Sequence, residues 1–188
     1  WQNGPGADFF KVLKSELVKD KIIESDEDKL PIIAEDLGLI DDSVRELLKA
    51  TELPGMKVLQ FAFSSDASNE YLPHNYDKNC VAYIGTHDNS TLEGWLHSAD
   101  EGELEYARSY MRLNQSEGER MGVIKTLMSS PADVAIVTMQ DILALGDNAR
   151  MNVPSQFGKN WQWRLTLNWV FFDDTSKWIE KITDTYGR

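Results

Sequence analysis

Short continuous apolar runs alternate along the chain with longer segments whose apolar residues recur at helical spacing. The apolar runs predict buried strands near residues 30–35, 57–63, 81–85 and 134–139. The helical patterns cover residues 9–18, 43–50, 91–130 and 174–186. Buried strands separated by helices favour an α/β fold with a parallel sheet covered on both faces.

Two of the predicted helices carry start signals. Asp8 stands where it can cap the first helix, and apolar residues follow on one face of that helix. Ser43 and Glu46 match a capping box, which predicts the start of the second helix. Pro54 and Gly55 then end that helix.

Several of the predicted strands end in a polar cluster. Glu35, residues 85–89 and residues 139–141 each follow an apolar run. This arrangement is typical of a (β/α)8 barrel, whose active site lies at the C-terminal ends of its strands. Four strands make half of such a barrel. An open doubly wound sheet is the alternative, but the sequence has no glycine-rich phosphate loop to favour it.

Charge and cysteine content narrow the possible partners and the compartment. The 188 residues carry a net charge of −12, which argues against binding to nucleic acid or to anionic membranes. No apolar run reaches the roughly 20 residues of a membrane span. The start of the chain has no signal-peptide pattern and no Met, so we expect no signal peptide and an upstream portion before Trp1. The single cysteine, Cys80, fits a reducing compartment, and we expect it to be a buried structural thiol.

Carboxylates and a histidine at strand ends are the candidates for catalysis. Glu35 follows an apolar run, where partial desolvation can suit a carboxylic acid to general acid chemistry. The alternative is a strand-end glutamate that caps the next helix, which position alone favours. His87 and Asp88 can exchange hydrogen bonds with vicinal hydroxyls. A metal site is the other option, but no further His or Cys stands at ligand spacing.

Residues 161–164, Trp-Gln-Trp-Arg, form a compact aromatic and polar motif. Trp161 and Trp163 could form a platform on which sugar rings stack, with neighbouring amides addressing the hydroxyls. The alternative is ordinary core tryptophan, the commoner case for any single Trp.

An ordered series of motifs covers nearly the whole chain, thinning after about Arg164. It comprises Gly4–Phe10, Ala34-Glu35-Asp36-Leu37-Gly38, Val58–Phe63, Tyr71-Leu72-Pro73-His74-Asn75-Tyr76, Gly85-Thr86-His87-Asp88-Asn89, Gln140-Asp141, Ala149-Arg150-Met151-Asn152 with Pro154, and Asn160-Trp161-Gln162-Trp163-Arg164. This series resembles the C-terminal motifs of the 4-α-glucanotransferases, also called amylomaltases or disproportionating enzymes. One departure is visible, since Pro154-Ser155-Gln156 stands where many members have Pro-Gly-Thr.

The resemblance implies that residues 1–188 are one partial catalytic domain, the C-terminal half of a (β/α)8 TIM-type barrel with strands five to eight. Glu35 would be the acid/base and Asp88 the transition-state stabiliser, while the nucleophilic Asp of strand four would precede Trp1. No metal and no cofactor are implied. The implied substrate-binding residues are His74, Asn75, His87, Asn89, Gln140, Asp141, Arg150, Asn152, Trp161 and Trp163.

The implied reaction is retaining transfer of α-1,4-glucan segments between maltodextrins. Its partners would be maltooligosaccharides, or dextrins derived from starch or glycogen, together with the missing N-terminal half of the same enzyme. A cytoplasmic location is expected, although plants carry similar enzymes in plastids. Two other classes stay open: a carbohydrate-binding module, and a structural half-barrel without catalysis.

Overall fold

The computed structural model describes residues 4–38, 40–166 and 173–188. The sequence leading into the last helix, including Trp169, lies partly outside these residues. The strands are β1 (Gly55–Val58), β2 (Cys80–Tyr83) and β3 (Val134–Ile136). The helices are α1 (Ala7–Lys19), α2 (Asp42–Thr51), α3 (Leu92–Ser98), α4 (Glu101–Met111), α5 (Glu119–Met128), α6 (Met139–Ile142) and α7 (Asp173–Tyr186).

The strands form a parallel sheet in the order β1-β2-β3, which confirms the predicted α/β class. Three of the four predicted strands overlap an observed one. β1 begins earlier than predicted and ends at Val58, because residues Leu59–Phe61 turn into a 3-10 helix. Pairing continues past that point through Gln60, whose N–H donates to the carbonyl of Ile84 at 3.1 Å.

The strand predicted at residues 30–35 is wrong. This segment has no strand structure, and Ile33 is 49% exposed. Ala34 donates a backbone hydrogen bond to Pro54 at 2.9 Å, one residue before β1 begins. Pro31 has no N–H to contribute to a ladder. An apolar run is therefore present here without the continuous pairing that a strand needs.

The described residues divide into two compact units. The first comprises residues 4–56, without Leu39, and residues 79–81. In it α1 contacts α2, and both helices are only partly buried.

Both predicted cap residues of this unit are wrong, although both predicted helices are present. Gly6 is the N-cap of α1, and Asp8 lies in its first turn, where it pairs with Lys11. Asp41 caps α2 by accepting from the N–H of Val44 at 3.2 Å. An acidic side chain two residues before Ser43 therefore takes the capping position.

The second unit comprises residues 57–78, 82–166 and 173–188. α5 contacts both α4 and α7, and Phe63 packs against the rings of Trp95, Tyr106 and Tyr110. The helical pattern at 91–130 is three helices, because Asp100 caps α4 and Arg112 ends it in the left-handed conformation. The largest fully buried side chains of the unit are Val58, Leu59, Leu72, Ile84, Leu92, Val123 and Leu127.

Among the described residues, no helix has both the length and the apolar character needed to cross a bilayer.

Candidate functional site

The loop that follows β2 carries His87 and Asp88. A tight turn shapes it, in which the side-chain oxygen of Asn89 accepts from both the N–H and the hydroxyl of Thr86, each at 2.8 Å. The turn leaves the two side chains about half exposed, His87 at 51% and Asp88 at 48%. A carboxylate and an imidazole are thus available to a ligand just past the C-terminal end of the central strand.

The carboxylate of Asp88 is held by residues that are distant in sequence. The amide Nδ2 of Asn152 donates to its Oδ1 at 2.5 Å, and Nε2 of His87 lies 3.3 Å from the same oxygen. The segment that contains Asn152 also binds the backbone of the loop. The guanidinium of Arg150 donates to the Asp88 carbonyl at 2.8 Å, and the N–H of Asn152 donates to the His87 carbonyl at 3.2 Å. The sequence-predicted residues His87, Asp88, Arg150 and Asn152 therefore form one cluster.

Trp161 extends this cluster with an aromatic face. Its ring centroid lies 4.9 Å from that of His87, the two planes are inclined at 42°, and the residue is 53% exposed. Its φ of +63° is in the left-handed region, which is unfavourable for a bulky residue. A backbone bond from Trp161 to the Met151 carbonyl, at 2.6 Å, stabilises this conformation. Strained backbone of this kind concentrates at functional sites. Trp163, the other predicted platform residue, is partly buried.

Asn160 organises the loop between Asn152 and Trp161. Its side chain accepts from the N–H of Val153 at 3.0 Å and donates to the carbonyl of Gln156 at 2.9 Å. In this loop Ser155 has a φ of +63°. This conformation suits glycine, the residue that the resemblance described above implies at this place. The departure from the family motif thus falls on a position whose backbone favours glycine.

Gln140 and Asp141 are buried, at 8% and 2% exposure. Gln140 donates to the Ala149 carbonyl at 3.2 Å, and Asp141 accepts from the N–H of Leu92 at 2.7 Å. Burial raises the pKa of Asp141, against the opposing effect of its hydrogen bonds to Leu92 and Thr138. Both side chains support backbone next to the Asp88 loop.

A cavity of about 110 Å³ is lined in part by five of the predicted residues. These are His87, Asn89, Gln140, Asp141 and Arg150. It is smaller than the roughly 300–1,000 Å³ of a usual ligand pocket, so it is at most one corner of a substrate site. A larger cavity of about 420 Å³, beside α3, α4 and α5, shares none of the predicted residues. The candidate site is the Asp88 cluster, because that cluster contains the sequence-predicted carboxylate and imidazole. Within the described residues, no group of three or more His, Cys, Asp or Glu is placed to hold a metal ion.

His74 and Asn75 make their hydrogen bonds elsewhere in the second unit. The ring of His74 contacts the Ala67 carbonyl through Nε2 at 3.0 Å and the Tyr110 hydroxyl through Nδ1 at 2.8 Å. A carbonyl only accepts, so Nε2 carries the proton in this arrangement. Asn75 donates to Ala67 and Asn69, at 2.9 Å each. Both side chains therefore shape their own loop, and their approach to a substrate stays a prediction.

Glu35 belongs to the first unit. It is exposed, and its Oε1 accepts from the N–H of Leu37 at 3.2 Å. Its neighbour Asp36 accepts from the N–H of Met56 at 2.7 Å and lies over Gly55, where a Cβ would come within 2.3 Å of the Asp36 carboxylate. Asp36 is thereby fixed to the start of β1. The convergence of Glu35 with the Asp88 cluster stays a prediction.

Sequence reasoning missed two residues that support the Asp88 loop. Gln60 donates from its side chain to the Ser90 carbonyl at 2.9 Å, and Asp147 accepts from Ser90 and Thr91. Both act on backbone far away in sequence, so no local pattern marks them. The nearest signal was their position, since Gln60 lies within the strand predicted at 57–63 and Asp147 precedes a recognised motif.

Comparison with known proteins identifies relatives over the full length of the chain. The sequence profile of the family described as 4-alpha-glucanotransferase matches residues 1–168. The 4-alpha-glucanotransferase of Clostridium butyricum is 46% identical over 189 residues, which is 100% of this chain and 37% of that protein. The chloroplastic/amyloplastic 4-alpha-glucanotransferase of Solanum tuberosum is 44% identical, over 100% of this chain and 31% of that protein.

A solved structure agrees with these relatives. The amylomaltase from Streptococcus agalactiae, in complex with acarbose, matches with a TM-score of 0.89 and 36% identity, over 100% of this chain and 36% of that one. The chain thus spans about a third of the length of its relatives. Because the profile matches most of the sequence, the chain belongs to the 4-alpha-glucanotransferase family.

Proposed function

We propose that the protein containing this chain is a retaining 4-α-glucanotransferase, and that the chain supplies the C-terminal half of its (β/α)8 barrel as one partial domain, with β1, β2 and β3 as strands six to eight. The observation that carries the proposal is the setting of Asp88. It follows a parallel strand, its carboxylate is held by Asn152, and it lies beside His87 and the exposed ring of Trp161. A family match over residues 1–168 accompanies that setting.

The Asp88 cluster fits the needs of an oxocarbenium-like transition state. Positive charge develops at the anomeric carbon, and a fixed carboxylate nearby stabilises it more than it stabilises the ground state. Asp88 can accept from ring hydroxyls while His87 contacts the same sugar. The ring of Trp161, tilted against His87 and half exposed, offers a face for the adjacent sugar.

Glu35 has the role of acid and base. It protonates the oxygen of the leaving sugar, and in the second half-reaction it removes the proton from the 4-hydroxyl of an acceptor glucan. The difference between transfer and hydrolysis lies in this second step, where a sugar hydroxyl takes the place of water.

The nucleophile lies outside this chain. A retaining enzyme needs a carboxylate about 5–5.5 Å from the acid/base to trap the glucosyl unit covalently. Asp36 is engaged with Met56 and is adjacent to Glu35, while Asp141 is buried against Leu92. The resemblance to the family implies that this carboxylate ends strand four, upstream of Trp1.

The substrates are maltooligosaccharides and the dextrins that starch or glycogen yields. We place the protein in the cytoplasm, a reducing compartment that suits a sequence with a single cysteine, the buried Cys80. The alternative is a plastid, which is where the name of the potato relative puts that protein.

The test is maltotriose disproportionation by the complete protein. It should yield glucose and longer maltodextrins, each new linkage retaining the α configuration. Glu35→Gln removes the transferable proton and should cut kcat by about 10²- to 10⁴-fold. Glu27→Gln, the same change at an exposed position of the same unit, is the matched control and should leave kcat unchanged. Wild-type turnover in Glu35→Gln would remove Glu35 from the mechanism.

The 188-residue chain alone should not transfer glucosyl units. It contains an acid/base and a stabiliser but no nucleophile, and groups that act as a unit fail together when one is lost. Incubation of the pure chain with maltotriose, followed by product analysis, checks this. Sustained formation of glucose and maltopentaose would place the nucleophile within these residues.

A further inference from the structure

Asp147 opens the short 3-10 turn Asp147–Ala149, which leads directly into Arg150. Its Oδ1 accepts from the N–H of Thr91 at 3.0 Å, and its Oδ2 accepts from the hydroxyl of Ser90 at 3.2 Å. Thr91 is the N-cap of α3. Asp147 thus holds the point at which the Asp88 loop ends and the next helix begins.

The same stretch of chain holds the loop at its other end. Arg150 donates to the Asp88 carbonyl, and the N–H of Asn152 donates to the His87 carbonyl. Residues 147–152 therefore make hydrogen bonds to residues 87–91 on both sides of Asp88 in the sequence. A shift at the Asp147 end would turn the Asp88 carboxylate relative to its partner Asn152.

Gly94, in the first turn of α3, leaves the space that the Asp147 carboxylate occupies. A Cβ at Gly94 would lie 2.1 Å from Oδ1 and 2.4 Å from Cγ of Asp147. Glycine is otherwise unfavourable inside a helix. The sequence therefore carries a glycine at a helical position where a side chain would displace this carboxylate.

Helix capping alone does not account for this arrangement. The N–H of Gly94 is satisfied by the Thr91 side chain at 3.1 Å, and the N–H of Leu92 by Asp141. Asp147 instead contacts Ser90 and Thr91, the two residues that join Asn89 to the helix. Its hydrogen bonds therefore go to the end of the loop and to the N-cap residue, not to the N–H groups of α3 itself.

We propose that Asp147 is a positioning residue for Asp88, acting through Ser90 and Thr91. The inference rests on the proposed role of Asp88 in the transfer reaction. In this role Asp147 acts through the loop and not on the substrate, so its loss changes the orientation of Asp88, a group that stabilises mainly the transition state. We therefore expect kcat to fall while KM changes little.

The experiment compares variants of the complete protein in maltotriose disproportionation. Asp147→Ala removes the carboxylate, and Gly94→Ala displaces it without changing charge. Each should lower kcat by about 10- to 100-fold, the range that a displacement near 1 Å can cause, with KM within about threefold. Asp147→Asn keeps an acceptor for Thr91 and should restore most of kcat.

Gly146→Ala is the control. It adds a methyl group one residue before Asp147, where the nearest non-adjacent heavy atom is Asn148 Oδ1 at 3.8 Å. It should behave like the wild type. Thermal unfolding of every variant, with assays well below the lowest Tm, separates lost positioning from lost folded protein.

The outcomes distinguish this inference from the proposed function. If wild type and Gly146→Ala transfer glucosyl units and Asp88→Asn does not, a normal kcat in folded Asp147→Ala and Gly94→Ala overturns the positioning role alone. Equal losses in Asp147→Asn and Asp147→Ala, or a similar loss in Gly146→Ala, also overturn it. An inactive wild-type protein overturns both the proposed function and this inference.

Discussion

The side-chain amide of Asn152 donates to the carboxylate of Asp88 across 64 residues of sequence, at 2.5 Å. Asn152 also donates through its backbone N–H to the carbonyl of His87. One residue thus fixes both the loop and the orientation of its carboxylate. The Asp88 loop is therefore shaped by the chain segment that follows α6 as much as by its own sequence.

Replacing Asn152 should impair catalysis more than it impairs folding. A hydrogen bond to a charged group contributes about 1.5–3 kcal/mol, so Asn152→Ala should lower kcat by roughly 10- to 100-fold. Asn152→Asp keeps the shape but sets a second negative charge against Asp88, and it should lower kcat at least as far. Steady-state kinetics of the complete protein with maltotriose measure both effects. Unchanged kcat in both variants would show that the contact does not serve the reaction.

Gly55 should tolerate no side chain, because the carboxylate of Asp36 lies where a Cβ would stand. Gly55→Ala should break the bond from Met56 to Asp36 and destabilise the protein by about 1–3 kcal/mol, the usual cost of overpacking. It should also lower transfer, since Glu35 adjoins Asp36. Thermal unfolding and activity are the measurements. Gly4→Ala is the control, because a Cβ there meets nothing within 4 Å. Equal Tm values for the two variants would contradict the packing described for Asp36.

Asp141 should make stability depend on pH in a specific direction. Burial raises the pKa of Asp141 above its ordinary 3.8, so the folded protein binds this proton more tightly than the unfolded chain does. The contribution of the protonated acid is complete below pH 3.8 and is lost as pH rises through the raised value. Asp141→Asn keeps an acceptor for Leu92 and carries no charge.

The difference in Tm, Asp141→Asn minus wild type, should therefore grow more positive as pH increases from below 3.8 towards 7. Thermal unfolding at a series of pH values measures it. Thr138→Val does not alter that charge, so its Tm difference from wild type should vary less with pH. A difference for Asp141→Asn that falls with rising pH would mean that the ionised form is the one the fold prefers.

The strand and helix pattern predicted three strands and the longer helices close to their observed positions, but it added a strand at 30–35 and missed the short helix α6. β2 overlaps the predicted run at 81–85 and β3 lies within the run at 134–139, because each is a short apolar segment bounded by polar loops. The strand predicted at 30–35 is absent, because a strand also needs a pairing partner along its length and Pro31 has no N–H to donate to one. The pattern of a sequence reports apolarity and does not report which neighbour a segment pairs with.

The same distinction applies to the site. His87 and Asp88 could be found because both follow a strand end, and the motif that begins at Ala149 could be recognised as a unit. Asp147 and Gln60 could not be found, because each acts on the backbone of Ser90 or Thr91 from 30 or more residues away. Gly94 gave no signal either, since its importance comes from a carboxylate that only the tertiary structure places beside it.

The central claim is that this chain supplies the acid/base and the stabiliser but not the nucleophile, and trapping the covalent intermediate tests it most directly. In the complete protein with Glu35→Gln, α-maltosyl fluoride needs little acid assistance to leave, whereas the second step lacks its base, so the glycosyl-enzyme should accumulate. Proteolysis and mass spectrometry then locate the sugar. We predict that it is attached to an aspartate upstream of Trp1. Attachment to any carboxylate within the 188 residues would contradict the account.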